Sequence, residues 1–191
     1  MMSASDTRDI ADRTRPAMLF QRGVFALSQA AAAVAALLVV GMVLHILLEI
    51  ALRMVDRSTF VLDEVVGYAI AGATFLSLGY AFEHSALVRV GLLVDRLSGR
   101  PRRVLETICG LATLAVTSQI GWVIAQSALR SFARGRTSSS IAEIPLWIPE
   151  AVCAAGLMIF SLQVLAWTLR QIFDLPGPVP PGDLDPLQND L

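Results

Sequence analysis

The stretch Val24–Leu48, "VFALSQAAAAVAALLVVGMVLHILL", decides how the rest of the chain is read. It runs for about 25 residues without a full charge, and about 20 apolar residues carry an α-helix across the hydrocarbon core of a bilayer. Inside lipid a lone segment must satisfy its own backbone N–H and C=O groups, which a helix does and an extended strand does not. About twenty polar or mixed residues precede it, Asp6, Arg8, Asp9, Asp12, Arg13 and Arg15 among them, and no small-residue cleavage site closes it. It is expected to be a retained span, not a secretory leader.

Three further blocks repeat the pattern. Val65–Phe82 is uncharged, Val104–Leu129 carries only Glu106 near its start, and Ala151–Leu169 is uncharged. The predicted fold is an all-α integral membrane protein with four transmembrane helices, at about 24–48, 65–82, 104–129 and 151–170. These lie in a membrane domain over 24–172, between a cytoplasmic tail at 1–23 and a disordered cytoplasmic tail at 173–191 that ends "PGPVPPGDLDPLQNDL". Bulk composition agrees. Of the 191 residues 55 % are hydrophobic, and they are gathered into long blocks, as soluble domains of this size rarely are. A net charge of −1 leaves no surplus to neutralise phosphates, so no nucleic-acid partner is expected. Cys109 and Cys153 both fall inside apolar blocks without metal-ligand spacing and read as small buried hydrophobes.

Every basic residue is arginine, and arginine placement orients the spans. Arg8, Arg13, Arg15 and Arg22 precede the first span. Arg89, Arg96, Arg100, Arg102 and Arg103 lie between the second and third, and Arg170 closes the fourth. The opposite side receives Arg53, Arg57, Arg130, Arg134 and Arg136. The larger set belongs on the cytoplasmic side, which predicts that both termini are cytoplasmic. In the second connection Leu87, Val90, Leu93, Val94 and Leu97 share one helical face, with Arg89 and Arg96 opposite. That division predicts an amphipathic helix lying in the headgroup plane, its arginines toward anionic lipid.

No Asp, Glu, Lys or Arg stands in the middle of a span, where ion paths usually place one. His45 and His84 are far apart in sequence, and no catalytic, cofactor or metal site is predicted. The chain is read as a non-enzyme. What the spans do carry is packing chemistry. Ala69, Ala73, Ser77 and Ala81 recur every fourth residue, a strip that lets another helix approach closely, with a helix of this chain the expected neighbour and a separate subunit the alternative. Thr117, Ser118, Gln119, Gln126 and Gln163 are candidate interhelical hydrogen-bonding groups, or the lining of a path.

Two regions resemble the small Q-type (DctQ-like) membrane subunit of tripartite ATP-independent periplasmic (TRAP) transporters. In "DEVVGYAIAGATFLSLGYAFEHSALVRVGLLVDRLSGRPRRVLE", the acidic pair Asp63-Glu64 opens the second span, Gly79 lies near its end, and the segment Arg89–Leu97 with Asp95-Arg96 follows. In "RTSSSIAEIPLWIPEA", Ser138, Ile144-Pro145 and Trp147 match the approach to the last span. Leu87, Gly91 and Leu62 depart from the histidine, aspartate and aromatic usual in that family.

The resemblance implies a bacterial inner-membrane protein that acts as a fixed scaffold. Its partners would be a large M-type subunit holding substrate and sodium, a periplasmic binding protein delivering an organic acid, and membrane lipids. Subunit- or lipid-interface candidates are Asp63, Glu64, Ala69, Ala73, Ser77, Gly79, Arg89, Asp95, Arg96, Pro145 and Trp147. The rival reading is a self-sufficient small transporter or channel built as a homo-oligomer, with Thr117, Gln119 or Gln126 lining a shared pore.

Overall fold

The computed structural model describes residues 4–84, 100–141 and 143–173. The segment of Arg89, Asp95 and Arg96, expected as an in-plane helix, and residues 174–191 of the C-terminal tail lie outside the described residues. The described chain forms four helices, α1 (Ala4–Arg53), α2 (Leu62–Glu83), α3 (Arg100–Ala133) and α4 (Trp147–Phe173). Each is long and apolar enough to cross a bilayer, over Leu19–Arg53, Leu62–Glu83, Val104–Ala133 and Trp147–Ile172. The four-span, all-helical architecture is therefore the one expected. Every helix runs past its uncharged stretch, because backbone hydrogen bonding continues into the interface where side chains turn polar. The N-terminal residues from Ala4 belong to α1, so no break in the helix marks a boundary at residue 23.

The helices form an open array, not a closed four-helix bundle. Among the described residues α4 touches the other three helices, whereas α3 packs on α4 alone. Burial says the same: 44 % of the most apolar window of α4 is buried, against 11 %, 17 % and 11 % for α1, α2 and α3. The register of each seam can be read from its closest approaches. α3 and α4 run antiparallel, with Gly110 against Thr168, Gly121 against Leu157 and Ser127 against Glu150. α1 and α2 are antiparallel too, with Leu38 facing Gly72 and Ser28 facing Gly79. α2 and α4 run parallel: Gly72 meets Val152, Leu76 meets Gly156, Gly79 meets Ile159 and Glu83 meets Gln163.

Glycine makes the central seam possible. A Cβ on Gly156 would stand 2.6 Å from the backbone C and O of Phe75 and 2.9 Å from the Leu76 nitrogen. Here one helix backbone rests on another, an approach only a missing side chain permits. Beside it Ala31 and Ala35 of α1 and Leu76 of α2 form the buried core, with Leu38, Ala73, Val152 and Ile159 packed around them. Lipid removes the hydrophobic drive between helices, so shape-matched dispersion contact of this kind holds the spans together.

Candidate functional site

The carboxylates that the helices hold, and their partners, lie at the two ends of the array. At the end bearing the α1–α2 and α3–α4 loops, Glu49 lies in the last turn of α1 and is only 1 % exposed. Its Oε1 accepts hydrogen bonds from Ser58 Oγ (2.5 Å) and Arg53 Nε (3.1 Å), and its Oε2 from Thr59 N (2.9 Å) and Thr59 Oγ1 (2.6 Å). The loop turns back over the carboxylate through left-handed backbone at Asp56 (φ 55°) and Phe60 (φ 57°), conformations that persist only where surrounding contacts hold them. Glu49→Gln replaces an acceptor oxygen with a donor facing donors. The expected result is severalfold faster tryptic cleavage in the α1–α2 loop, with helix content unchanged in circular dichroism.

Glu64, in the first turn of α2, ties the second loop to the first hairpin. It accepts a hydrogen bond from Tyr68 Oη (2.8 Å) and another from Ser140 Oγ, and Ser140 Oγ in turn receives one from Ser138 Oγ (3.1 Å). The α3–α4 loop is itself folded. Thr137 and Pro145 form an isolated antiparallel bridge, Ser138 N donates to Ile144 O (2.9 Å), and Leu146 N donates to Arg136 O (3.1 Å). Trp147 then opens α4 with its ring edge-on to Phe132, centroids 5.4 Å apart. Ser127 of α3 donates to Glu150 of α4 at 3.3 Å. Asp63 does not join Glu64; it is exposed and lines a polar hollow with Glu49, Arg53 and Ser58.

The end nearer the chain termini carries the more buried network. Arg170 of α4 grips Glu83 of α2 with two parallel bonds, Nη1 to Oε1 at 2.7 Å and Nη2 to Oε2 at 2.6 Å. The side chains are 11 % and 13 % exposed. Gln163 donates through Nε2 to Glu83 Oε2 (2.5 Å) and accepts from Ser28 Oγ of α1 (3.2 Å). Ser28 and Gln163 are fully buried, and a Cβ on Gly79 would approach Ser28 Oγ to 2.7 Å. Phe82, next to Glu83 in sequence, packs edge-on to Phe160 and Trp167 of α4. One chain of hydrogen bonds thus crosses α1, α4 and α2. Forked arginine–carboxylate pairing fixes angle as well as distance, so it holds helices in one relative orientation.

Of the small residues expected on α2, Ala73 packs on the α1–α2 core, and Ala69, Ser77 and Ala81 are half-buried. The Ser77 hydroxyl bonds its own helix at Thr74 O (3.1 Å). The buried face is Gly72, Leu76 and Gly79. Of the polar span residues, Gln163 joins three helices, and Thr117 accepts from Ser161 of α4 (3.1 Å). Gln126 accepts from Arg130 of its own helix, and Gln119 is exposed. Pro145 is exposed and pairs through backbone alone. Sequence reasoning missed Glu49, Ser28, Glu83 and Arg170 as partners. Glu49 had a local signal, a carboxylate ending an apolar run nine residues before Ser58-Thr59. No such signal links Glu83 to Arg170, which are far apart in sequence.

Among the described residues no three His, Cys, Asp or Glu side chains converge as metal ligands would. The family model for tripartite ATP-independent periplasmic transporters, DctQ component, matches residues 42–174, from the last quarter of α1 through the end of α4. No curated protein and no solved structure matches the chain.

Proposed function

The chain belongs to the DctQ family of tripartite ATP-independent periplasmic transporter components, and from that premise we propose that it is the fixed scaffold beside a large membrane subunit. In this reading the large M-type subunit carries organic acids inward, coupled to sodium, after a periplasmic binding protein delivers them. The small chain sits in the bacterial inner membrane with both termini in the cytoplasm, as the arginine asymmetry favours. The observation that carries the proposal is the network Ser28–Gln163–Glu83–Arg170, which locks α1, α2 and α4 to one another at one end. With Gly156 seated on the backbone of α2, it gives a body built to keep its shape, as a stator requires.

Proteoliposomes test this directly. The chain alone, supplied with binding protein, organic acid and an inward sodium gradient, is expected to take up nothing; adding the large subunit is expected to confer uptake. Uptake by the chain alone would overturn the scaffold reading in favour of the homo-oligomeric transporter. The arginines of the second connection enter the same reading as lipid or subunit contacts. Arg89→Glu with Arg96→Glu is expected to lower the yield of complex pulled down through the large subunit while the small chain still inserts. Unchanged recovery would remove that segment from the interface.

A further inference from the structure

Helix α3 leaves one side bare, and that side carries hydrogen-bonding groups where a bilayer is driest. Among the described residues α3 packs on α4 alone, with Gly110, Thr117, Gly121 and Ser127 in the contact. Ala112, Ala115, Gln119, Trp122, Gln126 and Leu129 follow one another at alternating steps of three and four residues. At about 100° per residue they form one stripe, turned about 150° from the contact with α4. All but the half-buried Gln126 are exposed. The Gln119 amide has no hydrogen-bond partner among the described residues, and neither has the indole N–H of Trp122, a residue 63 % exposed.

Depth separates a polypeptide from lipid as the neighbour of this stripe. The span Val104–Ala133 is centred between residues 118 and 119. Along the helix Gln119 therefore stands about 1 Å from the middle, Trp122 about 5 Å and Gln126 about 11 Å, all within the half-thickness of about 15 Å. Gln119 cannot reach the headgroups from there. Acyl chains offer its amide neither donor nor acceptor, so the cost of desolvation stands unless another protein group meets it. The stripe also crosses both leaflets, from Ala112 about 10 Å on one side of the middle to Leu129 about 16 Å on the other, as a helix does and one lipid does not. Its steps average 3.5 residues, the repeat that keeps two helices in contact when they cross at about 20°.

A second copy of this chain does not match the stripe. Across a two-fold axis normal to the membrane each residue of the stripe would meet itself. Alanine on alanine at Ala112 and Ala115 asks for close helices, whereas tryptophan on tryptophan at Trp122 holds them apart. The exposed Arg130 guanidiniums beside the stripe would also be brought together. A different helix can set a small residue opposite Trp122, larger ones opposite the alanines and a hydrogen-bonding side chain opposite Gln119. Resting on the scaffold reading above, we propose that this stripe of α3 is the surface on which the large membrane subunit docks, through a transmembrane helix that carries a hydrogen-bonding side chain at mid-depth.

The test uses the full chain co-expressed with the large subunit. The photo-crosslinker benzoylphenylalanine replaces Leu129 at one end of the stripe or Ile108, four residues before Ala112, at the other, both of them large and exposed. Illumination is expected to join the small chain to the large subunit from both positions. Gln119→Leu keeps the volume and removes the amide. It is expected to lower the fraction of small chain recovered with the large subunit about fivefold, while the chain alone unfolds in detergent no earlier than the parent. Adducts between two small chains would overturn the proposal and assign the stripe to a homo-oligomer. Undiminished recovery of the Gln119→Leu complex would also overturn it, as would an intact complex in which neither position reacts with the large subunit; both results leave the scaffold reading standing. Failure of the unsubstituted chain to co-purify with the large subunit would remove both.

Discussion

Arg170→Met is expected to destabilise the folded chain by about 3–5 kcal/mol, the range seen when one partner of a buried ion pair is removed. Both side chains are nearly nine-tenths buried, and the Arg170 fork donates to both oxygens of the Glu83 carboxylate. Methionine preserves the apolar stem while taking both bonds of the guanidinium fork away from the Glu83 carboxylate. The site lies near a helix end, where water can reach part of it, so a value toward the lower limit is expected. A double-mutant cycle separates pairing from packing. Glu83→Gln with Arg170→Met removes both charges and retains an acceptor for Gln163, and it should cost less than Arg170→Met alone. Unfolding in mixed detergent micelles, followed by circular dichroism, measures each variant. A double variant no more stable than Arg170→Met would show that the pair contributes packing and little electrostatics. The scaffold reading adds a second expectation, that the complex with the large subunit is lost from Arg170→Met before helix content is.

That pair also marks where sequence reading stops. The four spans are legible because apolar run length is a local quantity, and so is the asymmetry of the arginines. The alliance of Glu83 with Arg170 is not, because each residue alone reads as an ordinary charge flanking a span. It becomes visible only once α2 and α4 are known to lie side by side and parallel, and nothing in a single sequence sets the order of helices in an open array. The small residues of α2 show the same limit on a finer scale. The four-residue spacing of Ala69, Ala73 and Ser77 reads as the face on which another helix packs. The buried face is instead Gly72 and Leu76, one position round the helix from Ala73 and Ser77, together with Gly79, which the sequence does single out. Which face a small-residue strip presents depends on where its neighbour's own glycine lies. That glycine is Gly156, a single residue inside the alanine-rich run "CAAGLM" with no pattern to distinguish it.

Gly156→Ala is accordingly expected to be costly for a change of one methyl group. Forcing volume into a packed contact costs about 1–3 kcal/mol, and this contact belongs at the upper end, since the atoms met are backbone and have no rotamer to move to. Relief requires α2 and α4 to separate. Separation would be felt along the whole parallel seam, from Gly72–Val152 to the bonds that Gln163 and Arg170 make to Glu83. Gly41→Ala supplies the control within the same protein, because nothing lies within 4 Å of a Cβ at that position. There alanine removes only the flexibility of glycine, and helix propensity favours it by up to about 1 kcal/mol. One substitution at two sites should therefore change stability with opposite sign. The same detergent unfolding measurement reads both, and equal midpoints for the two variants would mean that α4 does not rest on the backbone of α2. Gly156→Val extends the series: a branched side chain cannot be accommodated by a shift of a few tenths of an ångström, so little folded chain should be recovered. If the scaffold is rigid because its central helices touch backbone to backbone, graded loss across glycine, alanine and valine should appear in assembly with the large subunit as well as in stability.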